Sequence, residues 1–364
     1  MRKTAAWPLS LIYAALIVYA SLYPFEGWRV QGLAPWAFLW APWPRYWTGF
    51  DVISNLLGYA PFGFLLALAL QRSAVRAPVL LATLTAGVLS VSLESTQMLL
   101  PMRVPSNVDA LLNTAGALLG ACLARALEWA GWLRRWSRFR DRWFFEDAGG
   151  VLVLLWVWPM ALLFPTPVAF GLGQVMERLE AALAERLQDT PWMEWMPLRE
   201  VELQPLLPFN EVLCVALGVL VPVLLSYGVI RQWGQRLAMA LGLALLGMGA
   251  GWLSAVLTWG PVHAWSWLGR EVLLGLAWAL AAALLALALP RRASLTLALA
   301  ALVWQLSLLN NASADAYFAQ TLQTWEQGRF IRFHGLIQWL GWLWPYATLL
   351  YLLHRLSTLP RQRA

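Results

Sequence analysis

Charged side chains are scarce in this sequence. Only 12% of the 364 residues are Asp, Glu, Lys or Arg, and 60% are hydrophobic, whereas about 25% of an ordinary soluble domain is charged. A chain of this composition cannot cover its whole surface with polar groups, so a soluble globular protein is excluded. The ten-residue alternation of polar and apolar positions that marks an outer-membrane β-barrel is also missing, which excludes that class.

Cysteine, histidine and lysine are scarce as well. Cys122 and Cys214 lie far apart within apolar runs and indicate no redox chemistry. The three histidines have no Cys or carboxylate at ligand spacing, so they predict no metal site. Lys3 is the only lysine among 26 basic residues, and the arginines fall mainly in short loops between apolar runs. Positive-inside topology explains that distribution better than nucleic-acid binding does.

Long apolar runs are abundant. Several reach the length of about 20 residues that a helix needs to cross a bilayer. They predict an all-α, polytopic membrane protein with about ten transmembrane helices, at residues 7–24, 51–70, 78–99, 108–127, 148–166, 209–230, 237–258, 269–289, 294–310 and 335–354. Most of the arginines fall in inner loops if both termini are cytoplasmic, and we therefore predict that orientation.

Four connections carry further patterns. The Trp- and Pro-rich stretch 28–47 is too broken by proline for a spanning helix and predicts an interfacial or re-entrant segment. Apolar residues recur at helical spacing in 174–187, which predicts an amphipathic helix on the outer surface. Residues 313–333 predict a third interfacial segment. Arginines alternate with aromatic residues in 134–143, a pattern typical of an anchor to anionic lipids.

The polar residues of the first spans are concentrated between residues 51 and 120. The ionisable ones are Asp51, Glu94, Arg103 and Asp109. A charge at the centre of a bilayer costs at least ~2.5 kcal/mol, so such residues are usually paired, interfacial or functional. Three carboxamides follow three of these charges by one helical turn and share their helix faces: Asn55, Gln97 and Asn113. In the predicted topology, all of them lie at the extracytoplasmic ends of their spans.

These residue types are compatible with several chemistries. Two carboxylates in a dry site would separate their pKa values and act as an acid and a base. They would also suit a hard cation such as Mg²⁺ or Ca²⁺. Arg103 would suit a phosphate or carboxylate group. A purely structural network is the fourth possibility, and the residues alone leave all four open.

The succession of these residues resembles a known family. Asp51-x3-Asn55-x3-Tyr59-x-Pro61-x-Gly63, Glu94-x2-Gln97 and Pro101-x-Arg103-x2-Ser106-x2-Asp109-x3-Asn113-x2-Gly116-x3-Gly120 are similar to the pattern of the VanZ-like bacterial membrane proteins, over about residues 7–127. The founding member of that family is associated with teicoplanin resistance. The resemblance implies a functional polar set, and the predicted ligand-binding residues are Asp51, Asn55, Tyr59, Glu94, Gln97, Arg103, Asp109 and Asn113. Gly116 and Gly120 also form a small-xxx-small pair, which predicts close packing of the fourth span.

A weak duplication is visible at an offset of 160 residues, where Gly87 matches Gly247. Its second copy has Ser254 opposite Glu94, so the polar site is predicted to be lost there. An even number of spans in each copy would make the two copies parallel. The predicted domains are a VanZ-like unit at 1–130, a basic connector at 131–147, a degenerate second unit at 148–290 with an outer segment at 168–208, and two further helices at 291–364 with an interfacial segment at 311–334.

The leading functional hypothesis is a non-enzymatic protein of the bacterial plasma membrane. Its outward-facing polar pocket would bind a lipid-linked cell-wall precursor or a lipoglycopeptide, with membrane lipids as partners and neither nucleic acid nor a cofactor involved. An intramembrane enzyme acting on a lipid headgroup is the alternative, with Glu94 as base, Asp51 and Asp109 as metal or proton partners and Arg103 on the phosphate. A transporter is the third hypothesis.

Overall fold

The computed structural model describes residues 6–23, 25–32, 34–43, 48–195, 203–313, 321 and 334–359. Within these ranges the chain forms twelve α-helices, which confirms the all-α prediction. They are α1 (Ala6–Leu22), α2 (Gly49–Arg72), α3 (Pro78–Gln97), α4 (Asn107–Trp129), α5 (Trp132–Trp143), α6 (Gly149–Ala161), α7 (Met176–Leu187), α8 (Pro208–Tyr227), α9 (Trp233–Trp259), α10 (Arg270–Leu285), α11 (Arg291–Asn310) and α12 (His334–Thr358).

Seven of these helices are long and apolar enough to cross a membrane, namely α2, α3, α4, α8, α9, α10 and α11. They match seven predicted spans, and the polytopic helical fold is confirmed. The apolar helices α1 and α6 are shorter, with 17 and 13 residues. The predicted fifth span extended to residue 166, but α6 ends at Ala161, because Pro165 and Pro167 follow closely and cannot donate helical hydrogen bonds. Helix α12 covers the tenth predicted span.

The predicted connections are only partly described. Residues 34–43 contain a single 3₁₀ turn, Ala37–Trp40, and no spanning helix. A helix is confirmed at Met176–Leu187, and Leu179 and Leu183 on its apolar stripe are exposed. Residues 44–47 of the first connection lie outside the described residues, and so does the predicted segment 313–333 except for residues 313 and 321.

The chain divides into two compact units, an N-terminal unit at Met1–Phe139 and a C-terminal unit at Arg140–Ala364. In the C-terminal unit, α8 is the central helix. It packs against α10 and α11, and 72% of its span is buried. Helix α6 packs against α12 at the edge of the same core. The four-part domain division stays a prediction.

In the N-terminal unit, α2 and α4 touch backbone to backbone. A Cβ atom added at Gly116 would overlap the carbonyl oxygen of Leu56, and one added at Gly120 would overlap that of Ala60. A Cβ atom at Gly63 of α2 would overlap the backbone of Ala117 in the same way. The close packing predicted for the fourth span is confirmed. It brings the polar faces of the two helices within direct hydrogen-bonding reach.

Candidate functional site

Asp51 lies at the start of α2 and caps it. Its carboxylate accepts hydrogen bonds from the Thr48 hydroxyl (2.8 Å) and the Thr48 backbone N–H (3.2 Å), and its own N–H donates to the Thr48 hydroxyl (3.2 Å). This reciprocal capping box satisfies donors that the first turn of a helix leaves without an intrahelical acceptor. Asp51 therefore fixes where α2 begins, and its side chain stays half-buried.

One turn further along α2, Asn55 links the helix to α4. The Asn55 amide donates to a carboxylate oxygen of Asp109 at 2.8 Å. Both side chains are half-buried. A hydrogen bond to a charged acceptor is stronger than a neutral one, so this pair fixes the register between α2 and α4 at their polar ends.

Glu94 reaches from the last turn of α3 to the start of α4. Its carboxylate accepts the backbone N–H of Ser106 at 2.9 Å, and its side chain is buried, with 6% exposure. The Ser106 hydroxyl in turn accepts the N–H groups of Val108 and Asp109 as the N-cap of α4. Glu94 thus anchors the capping residue of the neighbouring helix.

A chain of buried polar groups continues below Glu94. The Asn113 amide on α4 donates to the Ser90 hydroxyl on α3 at 2.9 Å. The Tyr59 side chain on α2 interacts with Ser90 and lies near Glu94. Among the described residues, the Asn113 carbonyl oxygen has no hydrogen-bond partner. Three helices are therefore joined through Ser90, which the sequence pattern did not single out.

Gln97 and Arg103 both bind the end of α1. The Gln97 amide donates to the Ser21 carbonyl at 2.9 Å, and the Arg103 guanidinium donates to the Tyr23 carbonyl at 2.7 Å. The last carbonyls of a helix lack intrahelical donors, and these two side chains supply them. The sequence predicted that Arg103 would suit a phosphate or carboxylate group. The structure additionally assigns it this tethering role.

The predicted set divides into a buried group and a rim. Tyr59, Glu94 and Asn113 are buried, whereas five side chains are half-buried. Those five form what we call the polar rim: Asp51, Asn55, Gln97, Arg103 and Asp109. The polar rim therefore remains within reach of solvent. It lies at the end of the unit where α2 and α4 begin and α3 ends.

The Trp-rich segment packs over the same end. Phe38 is 3% exposed and contacts Met98 and Ala110, and the Asn107 amide donates to the Ala41 carbonyl at 2.7 Å. The indole rings of this segment stay exposed, at 45% for Trp28, 61% for Trp36, 85% for Trp40 and 67% for Trp43. Tryptophan is enriched at membrane interfaces, so this end of the unit has the side chains of a headgroup-level surface.

Within the described ranges, no group of three or more His, Cys, Asp or Glu side chains is arranged to hold a metal ion. The carboxylates of the predicted set instead accept hydrogen bonds from Thr48, Asn55 and Ser106. The contacts described for Glu94 and Asp109 join neighbouring helices, and those of Asp51 cap its own helix.

The N-terminal part of the chain is similar to a known protein family. A model of the VanZ/LLP1 family matches residues 7–128, from the start of α1 to the end of α4. The N-terminal unit contains a VanZ-like domain. The match confirms the resemblance drawn from the motifs, over nearly the same range. Searches of curated proteins and of solved structures give no match.

The VanZ-like domain thus comprises four apolar helices whose polar motif residues meet at one end. The four-residue spacing of Asp51 and Asn55 has a structural reason. Asp51 caps α2 through Thr48, and Asn55, one turn later, donates to Asp109 of α4. The C-terminal unit lies outside the matched range.

Proposed function

We propose that the VanZ-like domain binds the headgroup of a lipid-linked or amphiphilic envelope compound at the outer leaflet of the bacterial plasma membrane. The polar rim beside exposed tryptophans is the observation that carries this proposal. A ligand with a polar head and an apolar tail would contact both surfaces at once. Tryptophan is enriched at the membrane interface, and ionisable residues in membrane segments often mark functional sites.

The side chains of the rim indicate the chemistry of the headgroup. Asp51, Asn55 and Asp109 offer carboxylate and amide groups to hydroxyl or amine groups, and the Arg103 guanidinium suits phosphate. The exposed rings of Trp36 and Trp40 would contact an acyl chain. A lipid-linked cell-wall precursor carries hydroxyl, amine and phosphate groups on an apolar tail, and a lipoglycopeptide carries hydroxyl and amine groups with an acyl tail.

Binding is better supported than catalysis by the environment of Glu94. As a general base, Glu94 would have to reach a proton on the substrate. Glu94 is instead 6% exposed, and its carboxylate accepts the Ser106 backbone N–H. A carboxylate used in this way stabilises the start of α4, which favours a role in the scaffold.

The binding proposal predicts an effect of Asp109→Asn. The substitution keeps an oxygen that accepts from Asn55 but removes one of the two negative charges of the rim. We expect the affinity for a fluorescent lipoglycopeptide, or for a lipid-linked peptidoglycan precursor, to fall by about tenfold, which corresponds to ~1.4 kcal/mol. Binding would be measured by anisotropy with the full-length protein in nanodiscs.

Glu128→Gln is the matched control for this experiment. Glu128 lies near the opposite end of α4, where its exposed carboxylate pairs with Arg125 at 2.9 Å. We expect wild-type affinity for both ligands. Equal binding by the wild type and Asp109→Asn, or no binding by the wild type, would contradict the proposal.

The orientation has a separate test. Met102 lies in the loop between α3 and α4 and is 92% exposed, and Val75 lies in the loop between α2 and α3. In a Cys122→Ala background, Met102→Cys should react in intact cells with a membrane-impermeant maleimide, and Val75→Cys should react only after permeabilisation. The reverse pattern would place the polar rim in the cytoplasm and overturn the outer-leaflet proposal.

A further inference from the structure

The C-terminal unit contains a cavity of about 280 Å³. It lies where α8 and α10 begin and α9 ends, and the loop that follows α6 closes one side. Its lining includes Phe164, Phe170, Glu211, Ser254, Thr258 and Trp267. Ligand pockets usually measure about 300–1,000 Å³, so this cavity suits a small organic molecule.

Aromatic rings build one wall of the cavity. Phe170 stacks on Trp158 with 6.3 Å between ring centroids, and meets Trp267 edge to face at 6.0 Å. Trp158 is fully buried, with 0% exposure, so the wall is anchored in the core of the unit. The faces of such rings attract cations.

The backbone of Phe170 is held in an unfavourable conformation. Its φ angle is 62°, in the left-handed region that bulky residues rarely adopt. Gln305 on α11 is 3% exposed, and its amide donates to the carbonyls of Phe170 (3.0 Å) and of Cys214 on α8 (3.3 Å), which holds this turn against α8. Strain of this kind persists where the surrounding structure enforces it, often at binding sites.

The polar groups of the cavity are mostly acceptors. Glu211 brings a carboxylate in the first turn of α8, and Glu271 is close enough to add to the negative potential. The Ser254 hydroxyl donates to the Leu163 carbonyl and the Thr258 hydroxyl to the Ser254 carbonyl, so their protons are engaged within the protein. A cationic ligand would complement this lining.

The lining also has one buried donor without an acceptor. The Trp267 indole nitrogen is inaccessible to solvent and has no hydrogen-bond partner among the described residues. A buried donor that lacks an acceptor costs about 1–3 kcal/mol. A ligand that carries an oxygen acceptor next to its cation would satisfy this N–H group once the Trp267 ring turns it toward the cavity.

We propose that this cavity binds a small organic ammonium that also carries an oxygen acceptor, as an amino alcohol does. The ammonium group lies between the Glu211 carboxylate and the aromatic wall, and the oxygen accepts from the Trp267 indole. The occupant is either a free amino alcohol or the amino-alcohol headgroup of a lipid. This site is independent of the function proposed for the VanZ-like domain.

Three probes separate the parts of this proposal on the full-length protein in maltoside micelles. Radiolabelled choline has both the cation and the oxygen. Tetramethylammonium lacks the oxygen, and the alcohol in which carbon replaces the quaternary nitrogen lacks the charge. We expect choline to bind at least about tenfold more tightly than the uncharged alcohol, since cation–π and ionic contacts are lost together.

Two variants test the assigned residues. Glu211→Gln should weaken choline binding by about tenfold. Trp267→Phe keeps an aromatic face but removes the N–H, so it should weaken choline more than tetramethylammonium, which loses only the difference in cation–π attraction between the two rings. Glu177→Gln on the exposed face of α7 is the control and should bind choline as the wild type does. Size-exclusion profiles identify any variant that fails to fold.

Two results would overturn the proposal: equal affinity for choline and its uncharged isostere, or unchanged choline binding in Glu211→Gln.

A competition experiment separates the two possible occupants, a free amino alcohol and a lipid headgroup. Choline binding is measured in the presence of a lysolipid with a phosphocholine head and, separately, of one with a phosphoglycerol head. Competition by the first alone assigns the site to a lipid headgroup. Competition by neither assigns it to a soluble amine. Asp109→Asn should leave choline binding intact, so failure of this site is distinct from failure at the polar rim.

Discussion

A single methyl group at Gly120 is expected to destabilise the VanZ-like domain by about 3 kcal/mol, the upper part of the range for overpacked cores. The Cβ atom of alanine would overlap the carbonyl oxygen of Ala60, which belongs to the backbone and cannot rotate away. Helices α2 and α4 would have to separate, and the hydrogen bond between Asn55 and Asp109 would lengthen with them. A lower melting temperature by fluorescence-detected size exclusion would show the effect.

Gly58→Ala is the matched control on α2. A Cβ atom there has nothing within 4 Å. Alanine is the better helix former by about 0.5–1 kcal/mol, so this variant should be neutral or slightly more stable. A wild-type melting temperature for Gly120→Ala would contradict the backbone contact between α2 and α4.

The sequence predicts most of the helices and the end at which the polar residues meet. Apolar run length identifies the spans, and because successive spans are antiparallel, Asp51, Glu94 and Asp109 fall at the same end. Gly116 and Gly120 predict the tight contact through their spacing alone. These features depend on the local pattern of residues and on the alternating direction of successive spans, and both can be read from a sequence.

The individual contacts could not be predicted in the same way. The bond from Arg103 to the Tyr23 carbonyl depends on the path of a loop. Ser90 is unremarkable in an apolar helix until it meets Asn113. The cavity of the C-terminal unit depends on a non-helical loop and on the φ angle of Phe170, a tertiary effect that no periodicity reports.

The two units share one type of contact and differ in another. Glu211 stands opposite Asp51 in the predicted duplication, and Ser254 stands opposite Glu94. Ser254 donates to the Leu163 carbonyl near the end of α6, much as Gln97 donates to Ser21 at the end of α1. In contrast, Gly87 faces Thr114, whereas Gly247 faces the ring of Trp158. The duplication stays a prediction. The observation that favours it is that, in both units, a polar side chain donates to a carbonyl at the end of the first helix.

Substitutions at Glu94 separate a structural role from a chemical one. Glu94→Ala is expected to cost about 3 kcal/mol of stability, because the Ser106 N–H loses its acceptor and a buried polar network is broken. Glu94→Gln keeps a carbonyl oxygen for that bond, so it should melt within a few degrees of the wild type. Thermal melting of both variants, with Glu128→Gln as the exposed control, would measure the difference.

The Glu94→Gln variant also distinguishes binding from catalysis. If Glu94 serves the scaffold, Glu94→Gln retains both the fold and the affinity for an amphiphilic ligand. If Glu94 is a general base, Glu94→Gln retains the fold but abolishes turnover of an envelope lipid, because an amide cannot take up the proton. A stable Glu94→Gln protein that loses a measurable wild-type turnover would therefore replace the binding proposal with the enzymatic one.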